Sequence, residues 1–271
     1  MSNHFPPVTL SHTAVRSINS SIVDQEYRIM VALPEGGLDP DKLYPALYVL
    51  DPDAVFALIT QVIRLMQVLD ELPELIVIGI GYPTLTYKET LGYRSRDYTP
   101  TEDPAWLERF IQARSLTEAY GTGGAQNFLS FIQEELMPFI QSNYPVDPDN
   151  KAMGGSSLSG LFGLYSLFKE PEIFNKYMIG SPSLWWDDEV LFSFERAYAD
   201  EHDDLPARVF MSIGGLEDES VIRLMQHIVE ILQQRDYPSL ELTSHIFEGE
   251  THLSVPAAAI SRGLRVLYDS I

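Results

Sequence analysis

Apolar residues recur along the chain in two patterns: short runs of apolar or alternating character, and longer segments with helical spacing. The short runs predict six β-strands, namely Tyr27–Leu33, Ala46–Leu50, Leu75–Ile80, Tyr177–Ile179, Val209–Ile213 and Leu242–Phe247. Apolar residues spaced three and four apart predict five helices, namely Phe56–Leu69, Phe128–Ile140, Leu161–Phe168, Val221–Leu232 and Ala257–Tyr268. Because continuous apolar runs suit strands buried on both faces, and strands alternate with helices, we expect an α/β fold with a mostly parallel sheet covered on both faces.

Residues 82–124 interrupt this alternation. The segment follows a predicted strand and interleaves tyrosines and a tryptophan with prolines and with Arg94 and Arg96. Ligands of open α/β sheets bind beyond the carboxyl ends of the strands, so the segment is a candidate substrate wall or lid. A surface excursion that packs its own aromatic side chains is an equally weighted interpretation. No linker or repeat divides residues 1–271, and we expect a single domain.

A serine-rich turn joins a predicted strand to a predicted helix at residues 153–160. Ser157 has Gly155 two residues before it and the small Ser159 two residues after it. This is the spacing of a nucleophile elbow, where bulky side chains at those positions would make strand and helix collide. Ser156 has a leucine two residues after it, so Ser157 is the better nucleophile candidate. A loop that merely caps a helix is the competing interpretation, and the strand–turn–helix context disfavours it.

A serine nucleophile needs a base, and His252 is the best placed histidine. It follows the last predicted strand, precedes the last predicted helix and comes 95 residues after Ser157, in the chain order of an α/β-hydrolase. The remaining histidines lie in the N-terminal tail, an acidic loop, a predicted helix and a predicted strand, and we expect structural or solvated roles for them: His4, His12, His202, His227 and His245.

The acid that would orient this base should follow the penultimate strand, Val209–Ile213. Glu217 is the first choice there and Asp218 the second, and one of the two acids could instead cap the helix that begins near Ser220. Spacing alone does not separate them.

An oxyanion hole needs two backbone N–H donors. Leu158, the residue after the nucleophile, is one candidate. The other should come from the loop after Ala46–Leu50, where Pro52 has no N–H, so the donor is Asp53 or its neighbour.

Composition restricts the function classes. The chain has 39 Asp and Glu against 18 Lys and Arg, a net charge of −21, which argues against nucleic acid or an anionic membrane as a partner. It has no cysteine, which excludes disulfides and thiolate chemistry. Three pairs of neighbouring aspartates could be considered as metal ligands: Asp51 with Asp53, Asp147 with Asp149, and Asp187 with Asp188. None matches a calcium-binding loop and no paired histidines accompany them, so we expect no metal site and no cofactor.

The N-terminal residues have neither a basic start nor an apolar run of signal-peptide length, and no later segment has about 18 uncharged apolar residues. We therefore expect a cytoplasmic protein without a membrane-spanning segment. Oligomeric state cannot be predicted from these features.

Several motifs, in order, resemble the esterase D-like "putative esterase" family of α/β-hydrolases, and within it the ferric enterobactin (siderophore) esterase-like group. They extend over most of the chain and include the elbow and the following segments: Tyr27–Pro34, Pro45–Asp51, Arg96–Pro100, Gly123–Ala125, Glu134–Pro138, Ser181–Trp186 and Phe247–His252. The family usually has glycine where this chain has Pro52 and Ser159.

The resemblance implies hydrolysis of carboxylic esters by a serine nucleophile. By position it gives Ser157 as the nucleophile, His252 as the base, and Asp53 with Leu158 as the oxyanion donors. It places three further residues at substrate contacts: Arg96, Trp185 and Trp186. Some siderophore esterases work with a Ser–His dyad, which would make Glu217 dispensable.

The resulting hypothesis is a serine esterase that acts through an acyl-enzyme on a small-molecule ester. Short-chain or aromatic acyl esters are the broader expectation and siderophore-type lactones the narrower one. Acyl transfer to an alcohol acceptor is the alternative if the site excludes water. A binding module that kept the fold without catalysis is a weaker alternative.

Overall fold

The computed structural model describes residues 9–84 and 86–268. In these residues eight strands form one sheet: β1 (Thr13–Ser20), β2 (Gln25–Ala32), β3 (Tyr44–Leu50), β4 (Ile76–Gly81), β5 (Val146–Ser156), β6 (Lys176–Gly180), β7 (Arg208–Gly214) and β8 (Glu241–Phe247). Their order across the sheet is β1-β2-β4-β3-β5-β6-β7-β8. The strands β3 to β8 pair in parallel, whereas β1 with β2 and β2 with β4 pair antiparallel. The expectation of a mostly parallel α/β fold is confirmed.

Helices follow most of the parallel strands. They are α1 (Pro52–Gln67), α2 (Tyr87–Asp97), α3 (Pro104–Arg114), α4 (Ala125–Phe131), α5 (Met137–Asn143), α6 (Leu158–Lys169), α7 (Leu191–Glu201), α8 (Glu219–Arg235) and α9 (Val255–Tyr268). A π-helical turn, Ile132–Leu136, joins α4 to α5. Pro138 stands just beyond this turn, and a proline lacks the N–H that a regular helix needs.

The helices cover both faces of the sheet. Successive residues of β3, which point to opposite faces of the sheet, show this: Tyr48 belongs to one buried apolar cluster and Val49 to another. The Val49 cluster contains residues of α1 and α9, such as Ile59 and Ile260. The Tyr48 cluster contains residues of α4, α6, α7 and α8. The two faces of the sheet therefore have separate apolar cores.

All six predicted strands and all five predicted helical segments are present, with shifted ends and with the π-helical turn inside the second predicted helix, Phe128–Ile140. One strand, β1, and three helices were not predicted, and β5 was expected only as the short strand that enters the serine-rich turn. β1 is an edge strand with mostly polar, partly exposed side chains. The first half of β5 is polar and contains Pro148. The helices α2, α3 and α7 have few buried apolar residues, so their periodicity is weak.

The interrupted segment 82–124 contains α2 and α3. Tyr93 stacks between Tyr82 and Tyr120, with ring centroids 4.9 and 4.0 Å apart. The segment thus packs some of its own aromatic side chains, as one of the two interpretations expected. Its movement as a lid, and the single domain over 1–271, stay predictions.

Candidate active site

The predicted elbow is a sharp turn between β5 and α6. Ser157 stands at its tip with φ 64° and ψ −122°, a conformation that L residues rarely adopt and that proteins reserve for functional turns. Its N–H donates to the carbonyl of Gly180 at 3.0 Å. A side chain at Gly155 would put its Cβ 2.6 Å from the Ser159 carbonyl oxygen, so that position requires glycine. The local geometry is that of a nucleophile elbow.

Ser159 does more in the structure than fill a small position. It is fully buried, accepts a hydrogen bond from the Ser156 N–H at 2.9 Å, and its hydroxyl lies 2.7 Å from a carboxylate oxygen of Asp51. Arg94 donates to both oxygens of that carboxylate at 2.9 Å. The hydroxyl therefore connects the elbow to the loop after β3 through a buried ion pair.

Glu217 and His252 form a hydrogen-bonded pair. The loops after β7 and β8 bring Oε2 of Glu217 within 2.6 Å of Nδ1 of His252. The other oxygen of Glu217 accepts from the Ser181 hydroxyl at 2.5 Å and from the Gly214 N–H at 2.9 Å. Burial alone would raise the pKa of Glu217, but the hydrogen bonds from His252, Ser181 and Gly214 outweigh it and lower the pKa. The carboxylate is thus held ionised beside the imidazole.

Asp218, the second choice for this acid, has another role. It is the N-cap of α8, and its Oδ1 accepts from the Ser220 N–H at 2.8 Å. Such a contact satisfies one of the unpaired donors at the start of a helix. The geometry thereby separates two acids that spacing left together.

The other described histidines lie elsewhere. The ring of His202 stacks on that of Tyr198, with centroids 4.2 Å apart. His227, on α8, has its ring beside that of Phe192 on α7. His245 is in β8 with its ring 4.4 Å from that of Phe247. His12 stands in a turn before β1, and His4 lies outside the described residues.

The two oxyanion candidates stand at helix starts. Leu158 is the first residue of α6 and Asp53 the second residue of α1, where backbone N–H groups have no partner within the helix. Asp51 precedes α1 in the left-handed conformation, with φ 52°. The side chain of Asp53 pairs with Arg28.

A cavity of about 960 Å³ opens at the carboxyl edge of the sheet and is lined by Ser157, Leu158, Glu217 and His252. Its two ends lie on opposite faces of the sheet. One side carries a wall of aromatic and basic residues: Arg94, Trp106, Phe110, Arg114 and Trp185. Trp185 is 41% exposed. The site can therefore hold a substrate with aromatic groups next to the elbow.

Two of the three residues predicted at substrate contacts are not in this wall. Within residues 9–84 and 86–268, neither Arg96 nor Trp186 lines the cavity. Arg96 donates to the buried Asp97 carboxylate at 2.6 Å. Trp186 is 1% exposed and its indole N–H donates to Thr101 at 3.0 Å. Both side chains form hydrogen bonds to residues of the segment 82–124. Of the three predicted residues, Trp185 alone lines the cavity.

The sequence placed Trp106 in the candidate substrate wall 82–124 but did not single out the other two wall residues on α3, Phe110 and Arg114. Trp106, Phe110 and Arg114 are spaced by four, and residues so spaced share one face of a helix. That spacing was the available signal, hidden because the rest of α3 is polar. The predictions from sequence also missed Ser183, whose hydroxyl oxygen lies 3.4 Å from the Ser157 hydroxyl oxygen.

In the described residues no helix is both long enough and apolar enough to span a membrane. This agrees with the absence of a long apolar segment in the sequence.

Comparisons with known proteins agree on one family. The profile of the family described as "Putative esterase" matches residues 20–252. The ferri-bacillibactin esterase BesA of Bacillus subtilis is 29% identical over 265 residues, which cover 95% of this chain and 90% of BesA. The siderophore triacetylfusarinine C esterase of Aspergillus fumigatus is 27% identical and covers 83% of this chain and 82% of its own length.

Solved structures show the same fold. The crystal structure of the BES protein from Bacillus cereus superposes with a TM-score of 0.85 at 28% identity, covering 99% of both chains. The siderophore hydrolase EstA from Aspergillus nidulans superposes with a TM-score of 0.78 at 25% identity, covering 98% of both. With the family match spanning most of its length, the chain belongs to the "Putative esterase" family and is a carboxylic ester hydrolase with the α/β-hydrolase fold.

Proposed function

We propose that Ser157 is the nucleophile of this ester hydrolase, with His252 as its base and Glu217 as the acid that orients the imidazole. The observation that carries the proposal is the 2.6 Å hydrogen bond between Glu217 and Nδ1 of His252. Because Nδ1 is held there, Nε2 is the nitrogen left to accept a proton from a serine in the same cavity. Ser157 and His252 both line that cavity.

The reaction would proceed in two steps. The Ser157 hydroxyl attacks the ester carbonyl while His252 takes its proton, and the oxyanion is stabilised by the backbone N–H groups of Asp53 and Leu158. The intermediate expels the alcohol, which leaves with the proton from His252, and an acyl-enzyme remains. Water then attacks the acyl group with its proton passing to His252, and the carboxylic acid leaves as Ser157 regains its proton.

The first test compares the wild type with Ser157→Ala and His252→Ala on p-nitrophenyl acetate. We expect each substitution to lower kcat by about a thousandfold or more, because the members of a catalytic unit act together. His227→Ala is the matched control, since His227 is exposed on α8 and lies outside the cavity lining. Near-normal turnover by a folded Ser157→Ala protein would overturn the assignment.

For the substrate we propose siderophore-type esters with aromatic, anionic groups. Relatives in the comparisons are described as siderophore esterases, which supports this class. The aromatic side chains of Trp106, Phe110 and Trp185 offer surfaces for stacking, and Arg114 offers a positive charge beside them. This local charge matters because the chain as a whole is strongly acidic.

The substrate proposal predicts a selective effect of Arg114→Gln. The variant should raise KM for a catecholate trilactone about tenfold, since it loses a charge-assisted contact, and leave p-nitrophenyl acetate almost unaffected. Arg109→Gln is the control, because Arg109 is exposed on the same helix and does not line the cavity in the described residues. Equal effects on both esters, or of both variants, would contradict the proposal.

The acyltransferase and binding-module alternatives are not favoured, because the family and the relatives are described as esterases and hydrolases. Three further expectations stay predictions: a cytoplasmic location, the lack of a nucleic-acid partner and the lack of a cofactor.

A further inference from the structure

The cavity at Ser157 has a second side that the aromatic wall does not form. It continues on the opposite face of the sheet, between α1 and α9. Val55, Leu58 and Ile59 of α1 line one flank, and Pro256, Ala257 and Ile260 of α9 line the other. We call this part the α1–α9 branch.

The floor of the branch is a single row of the sheet. Val49 pairs with Gly154, and Gly154 pairs with Met178, so the three residues lie side by side on β3, β5 and β6. Paired residues of neighbouring strands face the same way, and Val49 and Met178 both belong to the apolar core under α1 and α9. Gly154 adds no side chain between them, and the Met178 methyl lies 3.3 Å from where a Cβ on Gly154 would stand. The backbone of Gly154 and the Met178 side chain thus form the floor three residues before Ser157.

The chemistry of the branch differs from that of the aromatic wall. Ser156 and Ser212, two residues further along the same face of β5 and β7, line the end of the branch nearest the elbow. The side chains on its two flanks and at Val49 and Met178 are aliphatic or methionine, whereas the wall has Arg94, Arg114 and three aromatic rings. Ala54, Leu58 and Ala257 are exposed at its mouth. The flanks carry no charged or polar side chain that would stabilise a catecholate oxygen, whereas an alkyl chain packed against them is removed from water without leaving a polar group unpaired.

The length of the branch sets the size of chain that fits. Positions 54 to 59 of α1 span roughly 7 Å of helix axis. With C–C bonds of about 1.5 Å in a zigzag, that is roughly the extended length of a five- or six-carbon chain. The branch begins at the elbow, so the chain it accepts would be attached to the carbonyl that Ser157 attacks.

We infer that the α1–α9 branch is an acyl-chain site, and that the protein also hydrolyses unbranched aliphatic esters with about six carbons in the acyl group. This inference rests on the proposed role of Ser157. It adds a second substrate class, aliphatic acyl esters of medium length, to the aromatic esters that the opposite wall accommodates.

The test is a series of p-nitrophenyl esters from acetate through butyrate and hexanoate to dodecanoate. Each buried methylene is worth up to about fourfold in affinity, so kcat/KM should rise at least about tenfold from acetate to hexanoate and fall again at dodecanoate. Ala257→Phe places a ring in the mouth of the branch. It should abolish the rise from acetate to hexanoate.

Ala57→Phe is the matched control, because Ala57 is an exposed alanine on α1 that lies outside the cavity lining in the described residues. It should keep the rise. Leu58→Trp closes the branch from the opposite flank and should repeat the effect of Ala257→Phe, which guards against a folding defect in one variant.

Two results would overturn the inference: a flat wild-type series, or a rise that survives in folded Ala257→Phe and Leu58→Trp proteins. Acetate hydrolysis that depends on Ser157 would in either case leave the proposed nucleophile standing. Acetate hydrolysis that persists in Ser157→Ala would instead remove the proposed function, and this inference with it.

Discussion

The ionisation of the Glu217 carboxylate links the active site to the pH dependence of folding. Its folded pKa lies below the ordinary value of 4.5, so the ionised carboxylate stabilises the folded protein fully above that value. The contribution is lost as the pH falls through the lowered folded pKa. Unfolding free energies measured by urea denaturation between about pH 3 and 6 should therefore rise more steeply for wild type than for Glu217→Gln. If the unfolding free energies of the two proteins change in parallel with pH, the Glu217 carboxylate is not stabilised by the hydrogen bonds described.

For individual residues, the sequence predicted which side chains belong to the site better than it predicted the contacts that these side chains make. It placed Ser157, His252 and Glu217 from chain order and turn chemistry. It treated Ser159 only as a tolerated small residue, because a contact to Asp51, 108 positions earlier, leaves no local pattern. Arg94 and Arg96 are two residues apart on α2, and both were placed in the candidate wall, but periodicity did not show that Arg94 and not Arg96 lines the cavity.

Among the elements, α3 positions the aromatic wall. Its N-cap is Asp103, whose Oδ1 accepts from the Trp106 N–H at 2.8 Å, and Pro104 occupies the first helical turn. This cap compensates for a helix without fully buried residues. The start of α3 therefore depends on one side chain more than the ends of better packed helices do.

Asp103→Ala should cost about 1 kcal/mol of stability and loosen the turn that carries Trp106. We expect KM for an aromatic, catecholate-type ester to rise severalfold while kcat for p-nitrophenyl acetate stays near that of wild type. Asp103→Asn is the conservative control, because asparagine caps helices about as well as aspartate. If the alanine variant keeps the wild-type KM, α3 does not position the wall in the way proposed.

Elements were predictable where they are buried on both sides. The continuous apolar runs of β3 and β4 and the periodic segments of α1, α8 and α9 reflect contact with a core, and the sequence shows that contact directly. Three helices, α2, α3 and α7, and the edge strand β1 face solvent along much of their length. Their formation depends on caps and on neighbours in space, which a linear pattern does not reveal.

For the whole molecule, the parallel topology explains why residues from distant parts of the chain meet. The strands β3, β5, β7 and β8 end at the same edge of the sheet, and the loops after them supply the oxyanion candidate, the elbow, the acid and the histidine in chain order. The same edge opens toward both faces of the sheet. One cavity can thus present an aromatic, basic wall on one face and an aliphatic branch on the other.

The central claim is that an ester transfers its acyl group to Ser157, and mass spectrometry of rapidly quenched enzyme tests it most directly. After mixing with p-nitrophenyl butyrate, the wild type should gain the mass of one butyryl group on the peptide that contains Ser157. Ser157→Ala should gain none. An active enzyme acylated at another residue, or one that releases acid without any acylated peptide, would contradict the account.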